Sequence, residues 1–137
     1  MPTTLDLDTH LDPGNPPDVE GLTAEELIAW ALERFGDGVQ LACSFQQEES
    51  VMLDILATAG SSGNAFALDT GLLFPETLAT WKACEDRFGV HVQTVSGITL
   101  AEQSAEHGDE LWKRDAAACC GIRKVEPLVR HLGTLDA

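Results

Sequence analysis

Apolar residues recur along this chain in two alternating rhythms. Leu27, Ile28, Ala31, Leu32 and Phe35 follow helical spacing behind Thr23-Ala24-Glu25-Glu26. That tetrad is a capping-box pattern: the Thr hydroxyl accepts from the third helical N–H, and Glu26 reaches back to the cap. Leu22 and Leu27 flank it as a staple, and Gly36 supplies a left-handed stop. Val39 to Cys43 is a short apolar run and reads as a strand. Glu49 to Ala59 puts Val51, Met52, Ile55, Leu56 and Ala59 on one helical face, ended by Gly60. Ala65 to Leu68 is a second strand. Pro75 stands where a first helical residue belongs, and Leu78, Trp81, Cys84, Glu85 and Phe88 follow at helical spacing until Gly89. Val90 to Val95 is a third strand.

The strand starts at residues 39, 65 and 90 are 26 and 25 residues apart. That interval suits successive strand–helix–strand units of a parallel sheet, whose crossovers are right-handed. The pattern predicts an α/β fold, an open doubly wound parallel sheet with helices on both faces. A mixed α+β domain is the alternative reading. After Val95 the rhythm loosens. Thr99 to His107 reads as a short polar helix, Asp109 to Arg114 as a weak turn, and Cys119 to Leu132 as a final helix. Ile122, Val125, Val129 and Leu132 share one side of it, and Pro127 predicts a kink or break near Arg123-Lys124. Gly133 to Ala137 falls where a next strand is due, so the pattern predicts a C-terminally truncated domain. The expected organisation is a flexible acidic leader over 1–21 and a partial nucleotide-binding α/β domain over 22–137.

Composition narrows this picture. The 137 residues allow one domain, and 44% hydrophobic content is globular rather than disordered. The net charge of −15 argues against a nucleic-acid polymer and against anionic membrane surfaces as partners. No apolar run is long enough to span a membrane, and Met1 to Pro17 lacks the features of a secretory signal. The expected location is therefore cytoplasmic, where four cysteines read as thiols or metal ligands rather than disulfides. Residues 1–112 carry 3 bases against 20 acids, whereas residues 113–137 carry 5 bases against 3 acids. Only the last fifth of the chain is thus suited to attract an anion.

Three segments carry candidate chemistry. Ser44-Phe45-Gln46-Gln47-Glu48-Glu49-Ser50 opens a helix after the first strand, where free N–H groups suit a phosphate or sulfate. An ordinary capped turn is the alternative, and Glu48 and Glu49 repel an anion. Leu68-Asp69-Thr70-Gly71 follows the second strand and runs into Phe74-Pro75-Glu76-Thr77; Asp69 is an acceptor and Gly71 permits close approach of a ligand. Its alternative is a tight strand-to-helix turn. Cys119-Cys120 precedes Arg123-Lys124-Val125-Glu126-Pro127-Leu128. Neighbouring cysteines are poorly placed to bond each other, and two thiols beside two cations suit a soft metal or redox role. The alternative is one buried cysteine and one idle one.

In this order the three motifs resemble the assimilatory adenylyl-sulfate (APS) and phosphoadenylyl-sulfate (PAPS) reductases, of the adenine nucleotide α-hydrolase-like, Rossmann-like fold. The resemblance runs from about Val39 to Leu132. It implies an adenylyl-sulfate reductase of sulfate assimilation, which reduces APS to sulfite and AMP with a thioredoxin-type reductant. It implies nucleotide contacts from Ser44, Phe45, Gln46, Leu68, Asp69, Thr70 and Gly71, and a catalytic role for Lys124. It also implies the branch that holds a four-iron four-sulfur cluster, with Cys119 and Cys120 as two of the four ligands.

The departures matter equally. The family's later Cys-x-x-Cys pair, its arginine-rich substrate loop and its tail cysteine nucleophile are not found in these 137 residues. The expected protein is therefore incomplete and inactive alone. By resemblance the sheet order is 3-2-1-4-5, which would leave strand one as an exposed apolar edge open to a second copy or a complementing chain. Two other readings stand beside the reductase: an ATP-dependent adenylyl transfer enzyme of the same fold, and a non-catalytic subunit acting as an interaction module. The first is weakened because the loop at Ser44 lacks the double glycine that wraps pyrophosphate.

Overall fold

Local signals place the first helix where the sequence reading put it. The computed structural model describes residues 18–137. Helix α1 spans Ala24–Phe35, and both halves of the capping box are made: Glu26 N–H donates to Thr23 Oγ1 at 3.2 Å and Thr23 N–H to Glu26 Oε2 at 2.8 Å. Of the leader expected over 1–21, residues 1–17 lie outside the described residues; Val19–Gly21 form one 3-10 turn.

Strand β1 (Leu41–Ala42), helix α2 (Gln47–Thr58), strand β2 (Ala65–Leu68), helix α3 (Pro75–Phe88) and strand β3 (Val92–Val95) follow in alternation. The sheet order is β1-β2-β3 and both pairings are parallel, with Leu41 against Ala65 and Ala65 against Val92. The doubly wound α/β reading therefore holds, and the α+β alternative does not. Side chains alternate across the sheet. Ala65 and Ala67 join Leu53, Leu56, Trp81 and Cys84 in one core beneath α2 and α3. Phe66, between them, points to the other face and packs on the His131 ring at 4.3 Å.

That second face is covered by the return of the chain. Helices α4 (Leu100–His107), α5 (Leu111–Arg114) and α6 (Ala116–Cys120) lead into a π-helical turn at Gly121–Val125 and then helix α7 (Glu126–Leu132). The break expected near Arg123-Lys124 is this π turn. Pro127 has no N–H to donate into the preceding turn, and a widened turn absorbs the misfit.

Two helix faces differ from the sequence reading. In α2 the buried residues are Leu53 and Leu56, while Val51 is 60% exposed. In the last helices the buried positions are Cys119, Arg123 and Pro127, and Val125, Val129 and Leu132 face outward. Strand one is also less open than expected. Asp136 and Ala137 N–H groups donate to the Gly38 carbonyl at 2.7 and 3.1 Å, and Gln40 N–H donates to the Ala137 carbonyl at 3.2 Å. Bonds from both sides of Val39 to one residue have the pattern of a parallel rung, so Ala137 pairs with the segment leading into β1.

Candidate functional site

A cleft of about 360 Å³ opens at the carboxyl ends of β1 and β2. The chain winds β1-β2-β3 one way and returns beyond β1, so the cleft adjoins the topological switch point, where ligands of open α/β sheets bind. Ser44, Phe45, Leu68, Thr70 and Lys124 all line it, drawn from three segments up to 80 residues apart. Thr77 and Leu128, which stand inside the quoted motifs without an expected ligand role, also line it.

The first loop is held from within. Ser44 Oγ donates to Glu49 at 3.0 Å, and Gln46 N–H donates to Glu49 Oε2 at 2.6 Å. Glu49 therefore occupies the donors that a phosphate would seek. Phe45 sits at φ +64°, a left-handed conformation that costs a bulky residue energy. Its ring stacks on Trp81 at 5.1 Å, and the residue also lines the cleft. Gln46 caps α2 and does not line the cleft.

The second loop is an Asx turn: Gly71 N–H donates to Asp69 Oδ1 at 2.9 Å, and Asp69 N–H to the Val95 carbonyl at 2.9 Å. Asp69 faces a shallow polar depression with Lys82, Glu85 and His91 rather than the cleft. Gly71 has φ +72°, and a Cβ there would stand 3.0 Å from Arg123 Nη2. Both the backbone and the space require glycine.

In the third motif Lys124 is exposed and reaches the cleft, while Cys119 is buried and Cys120 exposed. Arg123 is buried to 5% and donates through Nε to the Thr70 carbonyl, which ties the third motif to the second. Hydropathy gives no hint that this arginine turns inward, because burial of a guanidinium is decided by the acceptors waiting for it.

Cys43 lines the floor of the cleft. Burial pushes its thiol up from the ordinary 9.0 to about 11, with Glu49 and Cys84 adding to the rise and a Phe45 backbone hydrogen bond opposing it. The thiol is thus protonated and a poor nucleophile near neutrality. Between those two values an unfolded chain releases this proton and the folded chain keeps it. Stability is therefore expected to fall as pH rises through that window. Urea midpoints at about pH 8 and about pH 10 check this, since Cys43→Ala should lose part of the decline; identical declines would contradict it.

A four-iron four-sulfur cluster needs four thiolates. Cys119 and Cys120 offer two adjacent thiols toward such a donor set; Cys43 and Cys84 belong to the core beneath α2 and α3, with Cys43 also lining the cleft. Among the described residues no group of three or more His, Cys, Asp or Glu side chains is placed to hold a metal. The described residues therefore do not complete the site.

Fold and cleft together define a doubly wound α/β domain with a cleft at its switch point. The profile of the Phosphoadenosine phosphosulfate reductase domain matches residues 38–137, and the chain belongs to that family. It is 41% identical over 118 residues to adenosine 5'-phosphosulfate reductase of Geobacillus kaustophilus (strain HTA426), covering 85% of this chain and 50% of that one. Over 114 residues it is 35% identical to adenosine 5'-phosphosulfate reductase 2 of Bacillus subtilis (strain 168), covering 82% and 48%. The chain thus spans about half the length of the curated relatives it matches. A crystal structure of phosphoadenylyl-sulfate (PAPS) reductase from Candida auris, a phosphate complex, aligns with a TM-score of 0.72 at 22% identity. It covers 86% of this chain and 60% of that one, and the likeness shows the shared fold.

Proposed function

We propose that this chain supplies the nucleotide-binding domain of an adenosine 5'-phosphosulfate reductase, which reduces adenylyl sulfate to sulfite and AMP at the expense of thioredoxin-type thiols. The observation that carries the reading is the convergence of Ser44, Thr70 and Lys124 on one cleft at the carboxyl ends of β1 and β2. Lys124 supplies the cleft's positive charge, facing the sulfate or phosphate end of the ligand. Leu68, Thr70 and Leu73 offer the apolar and hydroxyl surface that a nucleoside needs. Asp69 and Gly71 set the loop's shape rather than touching the ligand through the cleft wall. Glu49, inside the loop at Ser44, favours a ligand with fewer charges, hence APS over PAPS.

Glu49 also bears on the pyrophosphate-releasing alternative. It takes the Ser44 hydroxyl and the Gln46 N–H that would cradle pyrophosphate, so ATP-dependent adenylyl transfer is the poorer fit. Cys119 and Cys120 are proposed as two thiolate ligands of a four-iron four-sulfur cluster, which when complete would place a redox-active, anionic group beside Lys124. Four free thiols agree with a reducing cytoplasmic setting. No helix among the described residues is long and apolar enough to cross a membrane.

Cys43, the cysteine in the cleft lining, is held protonated by its burial. The expected result is that the 137-residue protein binds AMP and adenylyl sulfate weakly in an NMR titration, with shifts centred on residues 44–45, 68–71 and 124. It should release no sulfite from adenylyl sulfate when thioredoxin is supplied. Shifts confined to other residues, or sulfite release, would overturn the reading.

A further inference from the structure

Among the described residues two polar side chains are buried below one-tenth exposure, Gln103 at 2% and Arg123 at 5%. They touch each other. Arg123 Nη1 donates to Gln103 Oε1 at 3.2 Å, and Gln103 Nε2 donates to Cys119 Sγ at 3.7 Å. Arg123 Nε donates to the Thr70 carbonyl. The result is one continuous line from the cysteine pair through α4 to the loop at residues 69–71.

Arg123 forms no salt bridge to a carboxylate among the described residues. A buried cation without a counter-ion is costly, so its geometry must come from neutral acceptors. A guanidinium is a rigid planar fork. Once Thr70 and Gln103 hold two of its nitrogens, the third has no freedom. That nitrogen, Nη2, lies against Gly71, with 3.0 Å left to the point where a Cβ would stand. Gln103 alone, of the three partners, can report the state of Cys119 to the arginine, because its amide offers an acceptor to one and a donor to the other.

We propose that Gln103 is a positioning residue: it orients Arg123 against Thr70-Gly71 and couples the surroundings of Cys119 to the shape of the nucleotide loop. For the identity of its ligand this rests on the reading above; the coupling itself does not. Whatever alters Cys119, including ligation or alkylation, pulls on the Gln103 amide and through it on the loop. Gln103 does not line the cleft.

The test uses the full 137-residue protein with Cys120→Ser, so that iodoacetamide reports Cys119 by peptide mass spectrometry, alongside AMP titration and thermal melts. Gln103→Met removes both contacts and should weaken AMP binding about tenfold while speeding Cys119 alkylation. Gln103→Glu keeps an acceptor for Arg123 and should hold AMP affinity within about threefold, yet expose Cys119 as Met does. A folded Gln103→Met protein with unchanged AMP affinity, or equal AMP losses in both variants, would overturn the proposal. If the parent protein binds no AMP, the functional reading fails, and the coupling is decided on the thiol alone. Gly71→Ala, which presses on Nη2, should then speed Cys119 alkylation. Gly60→Ala, also at positive φ but with nothing within 4 Å, should not. Equal rates in those two variants would overturn the coupling, and this pair also decides it if Gln103→Met does not fold.

Discussion

Replacing Phe66 with Ala is expected to remove about 3–5 kcal/mol of stability, most of what a domain this size possesses. Phe66 is the middle of the central strand, 1% exposed, and among the largest fully buried side chains. Its ring helps join the sheet to the returning helix, meeting His131 at 4.3 Å while His131 Nε2 sits 2.6 Å from Gln40 Oε1 just ahead of β1. Truncation would leave a cavity bounded by a rigid sheet on one side, which collapses poorly. Phe74 is the contrast: at 74% exposure its loss should change stability by no more than about 0.5 kcal/mol. Urea denaturation of both variants, with the slope held common, checks the pair. A Phe66→Ala loss below about 1 kcal/mol would mean that α7 is not seated through this ring.

Lys124→Glu is expected to weaken AMP binding about 10- to 100-fold, the range for a charge-assisted contact turned repulsive. The side chain is exposed and enters the cleft that Ser44 and Thr70 also line. The cleft already holds the Glu49 carboxylate, so a second acid there would face the ligand's anionic group with no cation to offset it. Lys113→Glu supplies the control. Lys113 is paired with Glu110 at 2.7 Å, outside the cleft, and the change alters net charge equally. NMR titration of both proteins should separate a local contact from a general field effect. Equal losses would assign the effect to overall charge and remove Lys124 from the site.

The fold was legible wherever its signals were short-range. The Thr23–Glu26 box, Pro75 at the start of α3 and Gly89 at its end each act within four residues, and the structure has all three. Strand β2 was legible because a strand covered on both faces is a continuous apolar run. The site was legible as motifs: Ser44, Thr70 and Lys124 do meet in one cleft. It was not legible as roles. Asp69 reads as a ligand acceptor, yet its carboxylate closes its own turn. Glu49 reads as a dipole-favouring helix residue, yet it fills the loop's donors. Gln103 carries no sequence signal at all, being one polar residue in a polar helix.

By itself the sequence determined the alternation of strands and helices, the caps that bound them, and membership of a family, because each depends on residue order or on spacing within a turn. Only the tertiary structure decided which side of the last helices turns inward. Apolar Val125, Val129 and Leu132 face out, whereas Arg123 goes in, because its acceptors on Thr70 and Gln103 wait 53 and 20 residues away. The same holds just ahead of β1, where Ala137 finds its partners at Gly38 and Gln40, far away along the chain. Hydropathy ranks a side chain by its transfer to oil. A folded interior ranks it by the partners it meets there, and those partners are assembled by topology.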